Sequence, residues 1–116
     1  MKLFPLPHLP LTDVRFHDVV ARSNELVARP DRSLIVELWE ATEGTFEHEL
    51  PGEEVLYCLE GEEHVEDLST GEVLLVSAGD LLHYPMGSRV RVTYTGHFRA
   101  LIMQVAPTGV EPLEPA

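Results

Sequence analysis

From Ser33 onward a turn signal interrupts the chain about every ten residues, and the runs between signals are short and β-rich. Gly44, Pro51-Gly52, Gly61 and Ser69-Thr70-Gly71 are the clearest breaks. They separate eight expected strands: Ser33–Trp39, Thr45–Leu50, Glu54–Leu59, Glu63–Leu68, Glu72–Ser77, Leu81–Tyr84, Arg89–Thr95 and Phe98–Ala106. Such spacing predicts an all-β antiparallel sandwich or barrel and leaves no room for βαβ units. Helical periodicity is weak everywhere; only His17–Ala28 suits a turn or two of helix. The expected layout is one domain over 1–116, with a core at 33–107, an N-terminal arm at 1–32 and a Pro/Glu-rich tail at 108–116 that ends the fold.

The 116 residues are 44% hydrophobic, enough for a core and too apolar for a disordered chain. The single cysteine, Cys58, excludes an internal disulfide. Three prolines and a histidine interrupt the apolar N-terminus, no small-x-small site follows, and no run approaches the ~20 apolar residues of a membrane span. These features read as a cytoplasmic protein. The net charge is −12, which disfavours nucleic acid and anionic membranes as partners. Between Arg32 and Arg89 there is no Lys or Arg but there are 14 Asp and Glu. That interval is either a solvated acidic face or a field that draws in a metal ion or a cationic ligand. No P-loop, GxGxxG, HExxH, CxxC or GxSxG occurs, and no serine has a recognisable base beside it.

Two spaced motifs carry a resemblance. Glu54-Val55-Leu56-Tyr57-Cys58-Leu59-Glu60-Gly61 fits E-x6-G, preceded by His48-Glu49-Leu50-Pro51-Gly52. Gly79 to Gly87, GDLLHYPMG, fits G-x5-P-x-G. Together they resemble the cupin family, and the phrase EVLYCLEG resembles its ethanolamine-utilisation-type branch. The resemblance implies an antiparallel double-sheet jelly-roll barrel. It also implies a divalent metal held by three histidines and a glutamate. Here His48 and Glu54 match two of those positions, while Leu50 and Val90 occupy the other two, and Gly44 lies only four residues before His48, two closer than the motif has it. Two ligands hold a metal poorly, and hydrocarbon at the remaining positions desolvates any ion that approaches. The expected cofactor is therefore none, or a weakly held divalent Fe, Mn, Ni or Zn. His83 and His97 are candidate extra ligands, each also explained as an ordinary strand or turn histidine.

If His48 and Glu54 point into a barrel, strand alternation adds Leu50, Leu56, Cys58, Val90, Val92 and Tyr94 to the lining, with Glu63 following across Gly61. An apolar pocket with a few polar groups is the usual make-up of a small-ligand site. A buried Glu54 without a cation is expected to titrate high, hydrogen-bonded to His48 or a tyrosine as an acid–base pair. Cys58 is expected to be a small core hydrophobe. The expected function is binding of a small organic molecule, in an accessory or sensor role. The alternative is a small enzyme (lyase, isomerase or oxygenase) that uses His48 and Glu54 with or without metal. Outward-facing Val55, Tyr57 and Leu59 predict a homodimer.

Overall fold

The computed structural model describes all residues 1–116. It contains no α-helix, only one 3₁₀ turn at Leu6–His8 and ten strands. These are β1 (Thr12–Phe16), β2 (Val19–Ala28), β3 (Leu34–Glu49), β4 (Glu53–Glu60), β5 (Glu62–Asp67), β6 (Val73–Ser77), β7 (Leu81–Tyr84), β8 (Arg89–Tyr94), β9 (Phe98–Val105) and β10 (Glu114–Pro115). All pairings are antiparallel. One sheet runs β10-β1-β2-β3-β9-β4-β7 and the facing one β3-β8-β5-β6, with β3 shared between them. This is the barrel of two sheets that the strand spacing predicts.

The sharing of β3 corrects the expectation of two strands around a turn at Gly44. A single 16-residue strand runs through, pairing with β9 over its first half and with β8 over its second. Gly44 has φ +122°, and a Cβ there would come within 2.7 Å of the Asp18 carbonyl oxygen. Glycine at that position lets the strand pass against the β1–β2 turn as it changes sheets. A register slip opposite Val20 and Ala21 leaves Thr42 as an extra residue. It reverses the strand's inward parity: Ile35, Glu37 and Trp39 face in before it, Phe46 and His48 after it.

His17–Ala28 is not helical. Val19, Ala21 and Ser23 are buried in alternation along β2, which pairs with β1 on one side and β3 on the other. β-branched residues at Val19 and Val20, plus a free strand edge on β3, outweigh the weak helical pattern. The sheet therefore includes part of the expected arm. The tail does not end the fold either. Val110 exchanges hydrogen bonds with Arg32, its N–H to the Arg32 carbonyl and its carbonyl from Arg32 Nε, while β10 pairs with β1. Residues Leu6 to Leu11 lie against the outside of the larger sheet. Their carbonyls at Leu6, Pro10 and Leu11 accept from Arg99, Asn24 and Arg22.

Between the sheets Trp39, Leu56, Cys58, Val65, Val92, Phe98 and Ala100 form one buried cluster. Trp39 donates from Nε1 to the Tyr94 hydroxyl at 3.2 Å, so its burial leaves no orphaned donor.

Candidate functional site

The space between the sheets is not filled. A cavity of about 640 Å³ opens at one end of the barrel, within the roughly 300–1,000 Å³ of small-ligand pockets. His48, Leu50, Glu54, Leu56, Glu63, Val90, Val92 and Tyr94 all line it, on the faces that alternation assigns. Cys58 does not reach the cavity. It is buried beneath the lining, its thiol directed at the Glu60 and Gly61 carbonyls at 3.6 Å each. Burial and the nearby Glu63 push that thiol's pKa up, away from the reactive thiolate.

His83 and His97 lie outside the cavity and away from His48 and Glu54. His83 faces outward from β7 and meets Glu53 at 3.0 Å. His97 stands between Glu40 at 3.1 Å and Glu60 at 3.5 Å. No three His, Cys, Asp or Glu side chains converge closely enough to hold a metal ion. The donor set therefore does not fit the divalent metal that the resemblance implies, because too few ligands aim at one point.

Three carboxyls reach the cavity from both sheets: Glu37 on β3, Glu54 on β4 and Glu63 on the facing β5. Glu37 is 6% exposed and Glu63 1%. Glu54 keeps more accessible surface, but that surface faces the cavity rather than bulk water. Burial pushes Glu54 up to about 8, helped by the charges of Glu37 and Glu63. Burial likewise lifts Glu37 to about 7, with a further push from Glu25, while the Arg32 charge and the Gln104 hydrogen bond oppose part of that rise. It lifts Glu63 to about 7, while the Tyr94 and Tyr84 hydroxyls oppose part of that rise.

Cross-strand register explains the grouping. Glu54 is directly opposite Tyr84 on β7 and Gln104 on β9. Gln104 Nε2 in turn donates to Glu37 Oε1 at 3.3 Å. One glutamine thus stands between two carboxyls. Glu63 Oε1 is buried with no hydrogen-bond partner, an arrangement that costs free energy unless something supplies a donor.

His48 is elsewhere in the cavity. It is packed edge-on to Phe16 at 5.5 Å and to His17 at 5.9 Å between ring centroids. Burial holds its pKa down, and the His17 charge adds to this. The groups that perturb Glu54 are carboxyls, and those that perturb His48 are His17 and Glu49. The two share a cavity without forming the expected acid–base pair.

Sequence reasoning missed Glu37, Tyr84, Gln104 and the His17–Phe46 stack, whose rings lie 5.6 Å apart at 8°. Glu37 was legible: Ile35 and Trp39 share its face at period two. The other apolar face, Leu34, Val36 and Leu38, looks equally like a core. The tail, from Thr108 to Glu114, also lines the cavity mouth, where sequence predicted only a terminus.

The profile of the EutQ-like cupin domain matches residues 29–106. No curated protein matches the chain. Among solved structures, the EutQ protein of Clostridium difficile superposes with a TM-score of 0.78 at 20% identity, over 90% of this chain and 86% of that one. A protein assigned as ethanolamine utilization protein Q from Salmonella typhimurium LT2 gives 0.70 at 26% identity, over 80% and 77%. A cupin-like protein of Thermotoga maritima gives 0.72 at 14% identity, over 94% and 87%.

Proposed function

The chain belongs to the EutQ-like cupin family, and from that premise we propose that its barrel cavity binds a small organic molecule without a resident metal, in an accessory or sensing role. The observation that carries this reading is the unpartnered Glu63 Oε1 in the wall of an open 640 Å³ cavity. A barrel built only for support has no reason to keep a buried acceptor unsatisfied beside empty space. Leu50 and Val90, at two positions where cupins carry ligating histidines, give the wall apolar surface for a ligand body.

Fragment screening by ligand-observed NMR tests the proposal. Small molecules are expected to bind and to be displaced by Glu63→Leu, which fills the wall with hydrocarbon. No binder at millimolar concentration overturns the reading. Protein purified without a histidine tag is expected to contain well below one equivalent of Fe, Mn, Ni or Zn. One equivalent of any of them, lost on Glu54→Ala, overturns the metal-free part.

A second copy of the chain is the proposed partner on the outside. Tyr57, Leu81, Met103 and Val105 project outward from β4, β7 and β9 and are exposed. Adjacent apolar side chains on one sheet face favour burial against a twofold mate. Light scattering at micromolar concentration is expected to give about twice the 13.0 kDa of the chain. No helix of the chain is long and apolar enough to cross a membrane.

A further inference from the structure

The chemistry of the cavity narrows its guest. Seven glutamates and one arginine line it, and no lysine does. The arginine, Arg15, is exposed at the rim of β1. His48, the other basic group in the wall, is held toward its neutral form by burial. Arg32, already paired with Glu25 at 2.6 Å, offsets part of the charge at Glu37 from outside the lining, and no cation of the protein's own acts on Glu54 or Glu63. Buried carboxylates need a paired charge or must stay protonated. Three carboxyls reach this cavity from two facing sheets, and one of their oxygens, Glu63 Oε1, has no donor.

We infer that the guest is a protonated amine on a compact apolar body, its ammonium directed at Glu63 beside Glu54. This rests on the small-molecule reading above and names its ligand class. A primary ammonium has three N–H donors, one of which supplies the donor that Glu63 Oε1 lacks. The apolar body then lies along Leu50, Leu56, Val90 and Val92. The rings of Trp39, Tyr84 and Tyr94, which also line the cavity, offer the cation favourable aromatic surface. An anionic guest meets seven glutamates instead. A neutral polyol satisfies protonated carboxyls but does nothing to compensate ionised ones. The acidic interval from Arg32 to Arg89 supplies the outer field that attracts a cation toward the mouth.

The cavity groups around that position are Glu37, Glu54, Gln104, Tyr84 and Ile102 from the larger sheet and Glu63, Tyr94 and Val92 from the smaller, with the charges of Glu25 and Arg32 acting on Glu37. A cation stabilises the ionised carboxyls, so binding expels protons from those that are protonated near neutral pH. A polyol or alcohol that binds the protonated wall expels none.

Calorimetry with cyclohexylammonium, cyclohexanol and cyclohexanecarboxylate tests this on the full chain. At pH 8 the amine is expected to bind at least tenfold tighter than the alcohol, and the carboxylate weakest. Titrations in buffers of different ionisation enthalpy are expected to show net proton release for the amine alone. Glu63→Gln is expected to weaken the amine at least tenfold and change the alcohol by less than threefold, with circular dichroism unchanged. If that variant fails to fold, Glu54→Gln provides the same comparison. An alcohol that binds as tightly as the amine, or an amine that binds with proton uptake, overturns the ammonium inference and leaves the small-molecule reading standing. Failure of all three probes and of the fragment screen overturns both.

Discussion

Two pairs of adjacent glutamates, Glu53-Glu54 and Glu62-Glu63, each put one carboxyl outside the barrel wall and one inside it. Outside, Glu53 meets His83 at 3.0 Å and Glu62 approaches His64 at 3.9 Å, all four well exposed. Inside, Glu54 and Glu63 meet no imidazole. They find each other, Glu37 and two tyrosines. One residue's displacement along a strand thus separates a solvated polar contact from a buried acid. Water screens the outer pairs, so their geometry matters little to stability. The inner carboxyls have no such screening, and their protonation is tied to whether the cavity holds a cation.

The largest break in this comparison comes from pH. The folded pKa values of Glu37, Glu54 and Glu63 lie above the ordinary 4.5. The unfolded chain therefore loses these protons first as pH rises, and stability falls from about pH 4.5 through pH 7–8. The empty protein is expected to melt several degrees lower at pH 8.5 than at pH 6. Glu63→Gln removes an ionisable group that is 1% exposed and should recover on the order of 2 kcal/mol at pH 8.5 and little at pH 5. Glu62→Gln, one residue away and exposed, should leave the profile unchanged. Denaturant melts across pH decide; equal effects of the two variants break the contrast between inside and outside.

A smaller effect sharpens the interior side. Tyr94 accepts from Trp39 Nε1 at 3.2 Å and lies beside Glu63. Tyr94→Phe keeps the ring and leaves the buried indole N–H without an acceptor. A loss of about 1–2 kcal/mol is expected. The same substitution at exposed Tyr57 is expected to cost less than about 0.5 kcal/mol in a dilute, monomeric sample.

The tail gives a kinetic contrast instead. Thr108 to Glu114 covers the mouth, held by Arg32, which also pairs with Glu25 at 2.6 Å, and by two residue pairs between β10 and β1. Truncation after Thr108 is expected to speed ligand entry and exit several-fold in stopped-flow fluorescence of Trp39. An unchanged exchange rate would show that guests enter elsewhere.

How much of this was legible depended on the range of the cause. Alternation within a strand is local. It placed His48, Leu50, Glu54, Leu56, Glu63, Val90, Val92 and Tyr94 on one wall from the sequence. The slip at Thr42 is not local, because it is set by how β2 lies against β3. Without it, Glu37 and His48 cannot both be assigned inward along one strand. The missing His48–Glu54 contact has a similar origin. Register sets Glu54 opposite Tyr84 and Gln104, whereas His48 is paired with Val90 on the other sheet. Nor does composition show that Leu6–Leu11 and Val110–Pro115 pack back onto the barrel, since their anchors are backbone carbonyls and amides.

The smallest expected effect lies on the outer wall. His83 and His97 are about half exposed, and each touches a glutamate at close to 3 Å. In sequence they resemble spare ligands as much as His48 does. Their surroundings remove that role: His83 points away from the cavity across β7, and His97 follows the turn beyond β8, next to a Glu40 already shared with Arg22 and Arg99. The His83–Glu53 contact forms with water as its competitor, so replacing His83 exchanges one solvated arrangement for another, and when His97 is replaced the largely buried Glu40 keeps Arg22 and Arg99. His83→Gln and His97→Gln are each expected to change stability by less than about 0.5 kcal/mol and to leave amine affinity unchanged in calorimetry. His48→Gln, by contrast, alters the cavity wall and is expected to change affinity. If His83→Gln instead weakened the amine as much as Glu63→Gln does, the wall between Glu53 and Glu54 would not insulate the two sides.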